Sequence, residues 1–251
     1  KEEENKRNDN ENKDDNKINN DISEKEKEKI ELEHETIRDN IDAKVRKIFR
    51  AEKIDIKKDS EALLSSTETE YGKNYFLSLF TLNNKVKQVK FLNEDSYKIL
   101  FEVITKSLLK LSLKNSKEKV FAMKLMKTFS YYKIMKEKEE ISFINKIIEY
   151  LSSKSFKLLQ EEKFWEMWFE DELKEIDQDL FDQLKAMSED KDVYYFIDEE
   201  DEKVIEFKNK GKLYIKELIK HMNQVKKGKS FILSIVGTLC DKYIQIDKYL
   251  K

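Results

Sequence analysis

The feature that most constrains this chain is an absence: 251 residues contain no proline and only four glycines. Proline removes a backbone donor and clashes inside a helix, while glycine supplies the positive-φ positions that tight hairpins need. A chain with almost none of either is built to run through long helices, and a mainly β fold is excluded. Charged residues reach 41%, against roughly 25% in an ordinary globular domain. Lysine and glutamate are good helix formers that keep an exposed helix face in water. The 39% of hydrophobic residues is enough to bury a core.

Periodicity places the helices. Residues 1–22 are nearly all Asn, Asp, Glu, Lys and Arg, and cannot repay the entropy of ordering, so they read as a disordered charged leader. From Ser23 the pattern changes, and Ile30, Ile37, Ile41, Val45 and Ile48 fall on one helical stripe. Ser60 to Leu64 reads as a short turn of helix. Thr67 and Glu70 have the spacing of a capping box ahead of Tyr71, Tyr75, Phe76, Leu79 and Phe80. Asn93 is placed to cap a helix through Tyr97, Leu100, Ile104, Leu108 and Leu111, and Asn115-Ser116 breaks it. Val120 to Tyr132 and Ile141 to Leu151 predict two more helices, and Phe156 to Leu173 another. Two further helices are expected near 200–225 and 230–250, separated by Lys227-Gly228-Lys229. The run Val193 to Ile197 fits a strand or a buried helical turn, with helix favoured. The expected fold class is all-α, an irregular multi-helix bundle or short helical solenoid of seven to eight helices. Residues 23–251 read as a single helical domain, with a boundary near 177 left open for a C-terminal subdomain.

Charge is distributed in blocks. Residues 1–71 carry a net −6, 72–158 a net +10, 161–202 a net −14 and 203–251 a net +8. The plain reading is that basic and acidic helices lie side by side and neutralise one another. The sharper reading is that one block faces outward and selects a partner of opposite charge. The basic 72–158 block contains no arginine, the residue that best matches phosphate and guanine geometry, so a nucleic-acid-associated scaffold is the secondary reading.

A search for reactive constellations returns little. His34 and His221 stand in no metal-ligand spacing; His34 reads as a surface residue and His221 as a helix-face histidine rather than a general base. Gly72, Gly211, Gly228 and Gly237 form no phosphate loop. Cys240, the single cysteine, lies in an apolar helix where burial makes a thiol inert. No apolar run approaches the roughly 20 residues that span a bilayer. The expectation is therefore a non-enzymatic chain without catalytic, cofactor or metal residues.

The densest feature is Phe164-Trp165-Glu166-Met167-Trp168-Phe169, which holds both tryptophans. On a helix Trp165, Trp168, Phe169 and Glu172 share one side, with Phe164 beside them. This is core packing by default and a partner's anchor wherever a ring is exposed. The segment Glu70 to Phe76 with Leu79-Phe80, the stretch Met126 to Tyr132, and Lys163 to Glu166 with Phe169 together resemble the helical domain of the SET-binding-factor type. That domain lies between the DENN and GRAM regions of large myotubularin-related pseudophosphatases and occurs in smaller adaptor-like proteins. The resemblance spans residues 37 to 175. The sequence departs from the pattern at Met167-Trp168, where a small residue is expected, and the acidic 177–202 segment has no counterpart. The resemblance implies a catalytically silent scaffold near endosomal or vesicle traffic, with Gly72, Tyr75, Phe76, Tyr132, Phe164, Trp165 and Phe169 as structural signature positions. The expected function is thus a protein-binding adaptor or scaffold, cytoplasmic or at vesicles and the inner membrane surface. Its partners would be proteins, with membrane association through a larger complex left open.

Overall fold

A computed structural model describes residues 24–50, 52, 54–82, 89–136, 139–190, 195, 197, 198 and 200–245. The charged leader predicted for residues 1–22 lies outside the described residues, as does most of the Val193–Ile197 run. Of that run, Tyr195 and Ile197 are described, and neither is in a helix or a strand.

The described residues form ten α-helices and a small sheet, so the all-α reading holds. In chain order the elements are α1 (Glu24–Arg50), α2 (Ile56–Ser66), α3 (Glu70–Leu82), β1 (Lys90–Leu92), α4 (Glu94–Leu109) and α5 (Ser116–Thr128). There follow β2 (Tyr132–Lys136), β3 (Glu139–Ser142), α6 (Phe143–Ser153), α7 (Glu162–Lys174), α8 (Gln178–Glu189), α9 (Glu202–Met222) and α10 (Lys229–Leu239). A five-residue π turn, Cys240–Ile244, continues α10. The count exceeds seven or eight for two reasons. Ser60 to Leu64 is the middle of a full helix, α2, and the acidic segment after 177 forms α8.

Local chemistry sets the boundaries. Asp55, Asn93, Asn115, Asp177 and Asp201 each accept a backbone N–H of the helix that follows, satisfying donors that have no partner inside the helix. The expected capping box at Thr67 is not formed. Thr67 closes α2, its hydroxyl donating to Leu64 O, and Thr69 instead accepts Gly72 N–H at 3.0 Å. The end of α2 and the start of α3 approach so closely that a Cβ on Gly72 would lie 1.8 Å from Ser66 O. Glycine is required there.

The sheet is the main departure from the predicted elements. The helix expected to run to Tyr132 ends at Thr128; a single 3-10 turn follows and Tyr132 opens β2. Of the polar run 136–140, read as a helix break, Lys136 ends β2 and Glu139 and Glu140 open β3, while 137 and 138 lie outside the described residues. β1 pairs parallel with β2 (Phe91 opposite Lys133), and β2 antiparallel with β3 (Lys133 opposite Ser142, Met135 opposite Glu140). The aromatic and branched residues after Phe129 suit a pleated surface better than a helix.

One continuous cluster of buried side chains runs from Ile41 to Ile244. α1 packs on α2, α3 and α4, while α7 sits among α5, α8, α9 and α10 and α6 bridges α4 to α9. The charge blocks follow this packing. Lys119 of α5 meets Glu161, and Lys127 of α5 meets Asp171 (2.5 Å), Glu172 (3.7 Å) and Glu175 (2.6 Å) of the acidic segment.

Candidate functional site

The α7 aromatics fold as their spacing predicts. Phe164, Trp165, Trp168 and Phe169 are all buried, with Trp165 and Trp168 stacked at 5.8 Å between centroids and Phe164 edge-on to both. Trp165 Nε1 donates to Leu159 O at 3.0 Å. Phe169 packs on Tyr243, whose hydroxyl donates to Glu170 at 2.6 Å; burial first, and then that carboxylate, raise the Tyr243 pKa.

The other predicted positions lie elsewhere. Gly72, Tyr75 and Phe76 are on α3. Tyr75 donates to Asp42 of α1 at 2.8 Å, and burial together with that carboxylate pushes its pKa up to about 12. Phe76 joins Phe80, Phe129 and Tyr132 in an aromatic chain with centroid steps of 4.8, 4.8 and 5.1 Å. The Tyr132 hydroxyl is fully enclosed and without a hydrogen-bond partner. None of these four lines a cavity with α7. The structure therefore divides the eight predicted residues into an α3–β2 group and an α7 group, and brings only Trp168 and Phe169 to an open space.

That space is a cavity of about 470 Å³. The outer face of the sheet forms one wall, with Lys133, Glu140 and Ser142, and Val89 just ahead of β1. Trp168, Phe169 and Glu172 of α7 form the floor, and Tyr214, Glu217, Leu218, Lys220 and His221 of α9 the opposite wall. Asn145 of α6 closes one end.

His221, placed by sequence on an ordinary helix face, is only 7% exposed. Its Nδ1 lies 2.7 Å from Asn145 Oδ1, and its ring lies over Trp168 at 5.5 Å. With Asn145 Oδ1 accepting, the imidazole carries its proton on Nδ1 and keeps the Nε2 lone pair. Nε2 bonds to no described residue yet is not fully enclosed, so it opens to the cavity. Desolvation is the largest cause that depresses the His221 pKa, to about 4, with Lys220 adding to it and Glu217 opposing it. At neutral pH the ring is uncharged and acts as an acceptor.

The two hydroxyls at the cavity that could serve as nucleophiles are tied to the backbone. Ser130 Oγ donates to Lys127 O, and Ser142 Oγ accepts Asn145 N–H. Cys240 is on another part of the molecule, and burial first, then Asp241, raise its thiol pKa. Among the described residues no group of three or more His, Cys, Asp or Glu is arranged to hold a metal, and no helix is long and apolar enough to cross a membrane.

Beside the cavity the sheet leaves apolar side chains in water. Phe91 and Met135 are each 53% exposed and Val89 is 46% exposed. Strand alternation explains the pattern: Leu92 and Tyr132 point into the core, whereas Phe91, Lys133 and Met135 share the opposite face, on which Phe91 and Met135 stay more than half exposed.

Sequence reasoning missed His221, Asn145 and the sheet face. His221 and Asn145 are 76 residues apart, and three-residue β1 carries no periodic signal. Comparison with known protein families, with curated proteins and with solved structures finds no match.

Proposed function

We propose that this chain is a non-enzymatic protein-interaction domain whose binding surface is the outer face of the sheet and the adjoining cavity. The observation that carries the reading is the exposure of Val89, Phe91 and Met135 on a single face beside a cavity floored by Trp168. Single exposed apolar residues are ordinary, but a group of them next to a concave, aromatic-floored space is the anatomy of a contact surface. The occupant is an extended segment of a partner protein, laid over a short sheet whose β1 and β3 edges carry no further strand among the described residues.

Contact without catalysis is supported by the engagement of the cavity serines, Ser130 and Ser142, with the backbone and by a histidine held to an asparagine rather than to a nucleophile. Nucleic-acid binding is less favoured. Of the eighteen lysines of the basic block, Lys73, Lys98, Lys106, Lys110, Lys119, Lys127, Lys133 and Lys146 are ion-paired with a carboxylate, and the block holds no arginine, the better match to phosphate. A role in vesicle traffic or endocytosis rests on the resemblance carried by Gly72, Tyr75, Phe76, Tyr132, Phe164, Trp165 and Phe169.

The test is selection from a displayed library of extended peptides. Enriched peptides are expected to bind the wild type and the Leu233→Ser control, which alters an exposed apolar residue on α10, and to be lost from the Phe91→Ser, Met135→Ser double variant. No enrichment, or binding indifferent to the double variant, would reject the reading.

A further inference from the structure

Resting on that reading, we propose that the cavity is a specificity pocket for a cationic side chain, lysine or arginine, of the partner protein, with His221 Nε2 accepting one of its N–H groups.

Three observations converge. First, a largely buried side chain presents an acceptor to the cavity: His221 is held by Asn145 through Nδ1, and its Nε2 bonds to no described residue and opens to the cavity. A ligand that donates an N–H to this acceptor replaces water there and makes the bond inside a largely desolvated site. A cation that donates several N–H groups fits; a carboxylate or phosphate does not.

Second, the field in the cavity is negative. Lys133 and Lys220 on its walls are neutralised by Glu140 and Glu217, and Glu172 adds a third carboxylate at the floor. Immediately behind, Lys127 is shared among Asp171, Glu172 and Glu175. Taken together, three lysines stand against five carboxylates, a formal charge of −2. Such a site attracts a cation and repels an anion.

Third, the geometry dictates how the cation is held. Trp168 is stacked on Trp165 and tilted against His221, and Phe169, Tyr131 and Tyr214 also line the cavity, so aromatic rings stand beside the hydrogen-bonding groups. Hydrogen bonding to His221 favours cations bearing N–H groups over quaternary ammonium. A volume of about 470 Å³ accommodates a long side chain entering from the sheet face.

Of the chain's two tryptophans Trp168 lines the floor and Trp165 stacks on it from behind, so tryptophan fluorescence reports on this region. The experiment titrates the full chain with blocked pentapeptides that differ only at the central residue: arginine, lysine, citrulline or norleucine. Arginine and lysine peptides are expected to give a saturable change, with citrulline and norleucine at least about tenfold weaker. His221→Phe, which keeps the ring and removes the acceptor, is expected to weaken the cationic peptides about tenfold and leave the norleucine peptide unchanged. Should that variant fail to fold, Glu140→Gln with Glu217→Gln, at half-exposed rim positions, decides: arginine binding is expected to fall several-fold.

Equal binding of arginine and norleucine peptides would overturn the cation pocket while leaving a peptide-binding surface in place. Full affinity in the His221→Phe or the rim variant, or no saturable response to any peptide, would overturn it as well. Free arginine amide serves as the separate arm. Binding of the amide as tight as that of the arginine peptide would uphold the chemistry of the pocket and remove the partner protein from it.

Discussion

The α7 floor and the outer face of the sheet hold comparable apolar side chains and meet opposite fates. On α7 four aromatic residues are no more than 3% exposed, enclosed by α5, α8, α9 and α10. On the sheet, Phe91 and Met135 are more than half exposed, because alternation sends them away from the core. Aromatic density is thus a guide to where the core closes, and it is a poor guide to where the molecule makes contacts. The surface offered to a partner comes from two or three apolar residues that the fold leaves uncovered, beside the edge of the buried cluster.

Four measurements would break or sharpen this contrast. The largest effect belongs to the closed region: Trp165→Ala leaves a cavity and an orphaned Leu159 carbonyl, and is expected to cost about 3–5 kcal/mol in urea unfolding. A near-neutral result would place Trp165 in an interface and reverse the comparison.

Next comes the boundary between the regions. In the folded state the His221 pKa is held near 4, below its ordinary value of 6.5, so between those values the unfolded chain binds a proton that the native chain does not. Stability from this group is complete above pH 6.5 and is lost as pH falls towards 4. The wild type should lose roughly 3 kcal/mol more than His221→Phe between pH 7 and pH 4. Parallel pH profiles for the two proteins would show that the site is wetter than its geometry implies.

Third, Lys127→Met removes the one cation shared by Asp171, Glu172 and Glu175 behind the floor. Breaking a fully buried set costs about 3–5 kcal/mol, but Asp171 and Glu175 are about a third to a half exposed and water relieves part of the repulsion. About 2 kcal/mol is expected in the same assay. The smallest effect falls on the open face: Phe91→Ser should stay within about 0.5 kcal/mol while abolishing peptide binding. A large loss of stability there would mean that Phe91 is part of the core.

Much of the fold was legible because helices announce themselves locally. The stripe Ile41, Val45 and Ile48 is buried on α1, Asn93 caps the helix its position suggested, and Asn115, read as a break, caps the helix that follows. The failures have physical causes too. Thr67 had the right spacing for a cap, but the close approach of α2 and α3 at Gly72 gave that role to Thr69. Tyr132 continued the helical spacing of α5, yet pairing with β1 and β3 drew it into a strand. His34, read as a surface residue, stacks on Tyr71 at 3.8 Å between centroids, a contact between elements that no local pattern announces.

By itself the sequence determined what depends on neighbours three or four residues apart: the all-α class, the Asn93 cap, the burial of the α7 aromatics and the matching of a basic helix to an acidic one. These follow from side-chain spacing and charge, which are local quantities. Only the tertiary structure decided the sheet, the meeting of His221 with Asn145 across 76 residues, and the uncovered face of Phe91 and Met135. Those depend on which surfaces the folded chain brings together and which it leaves to water, and no period in the sequence encodes that outcome.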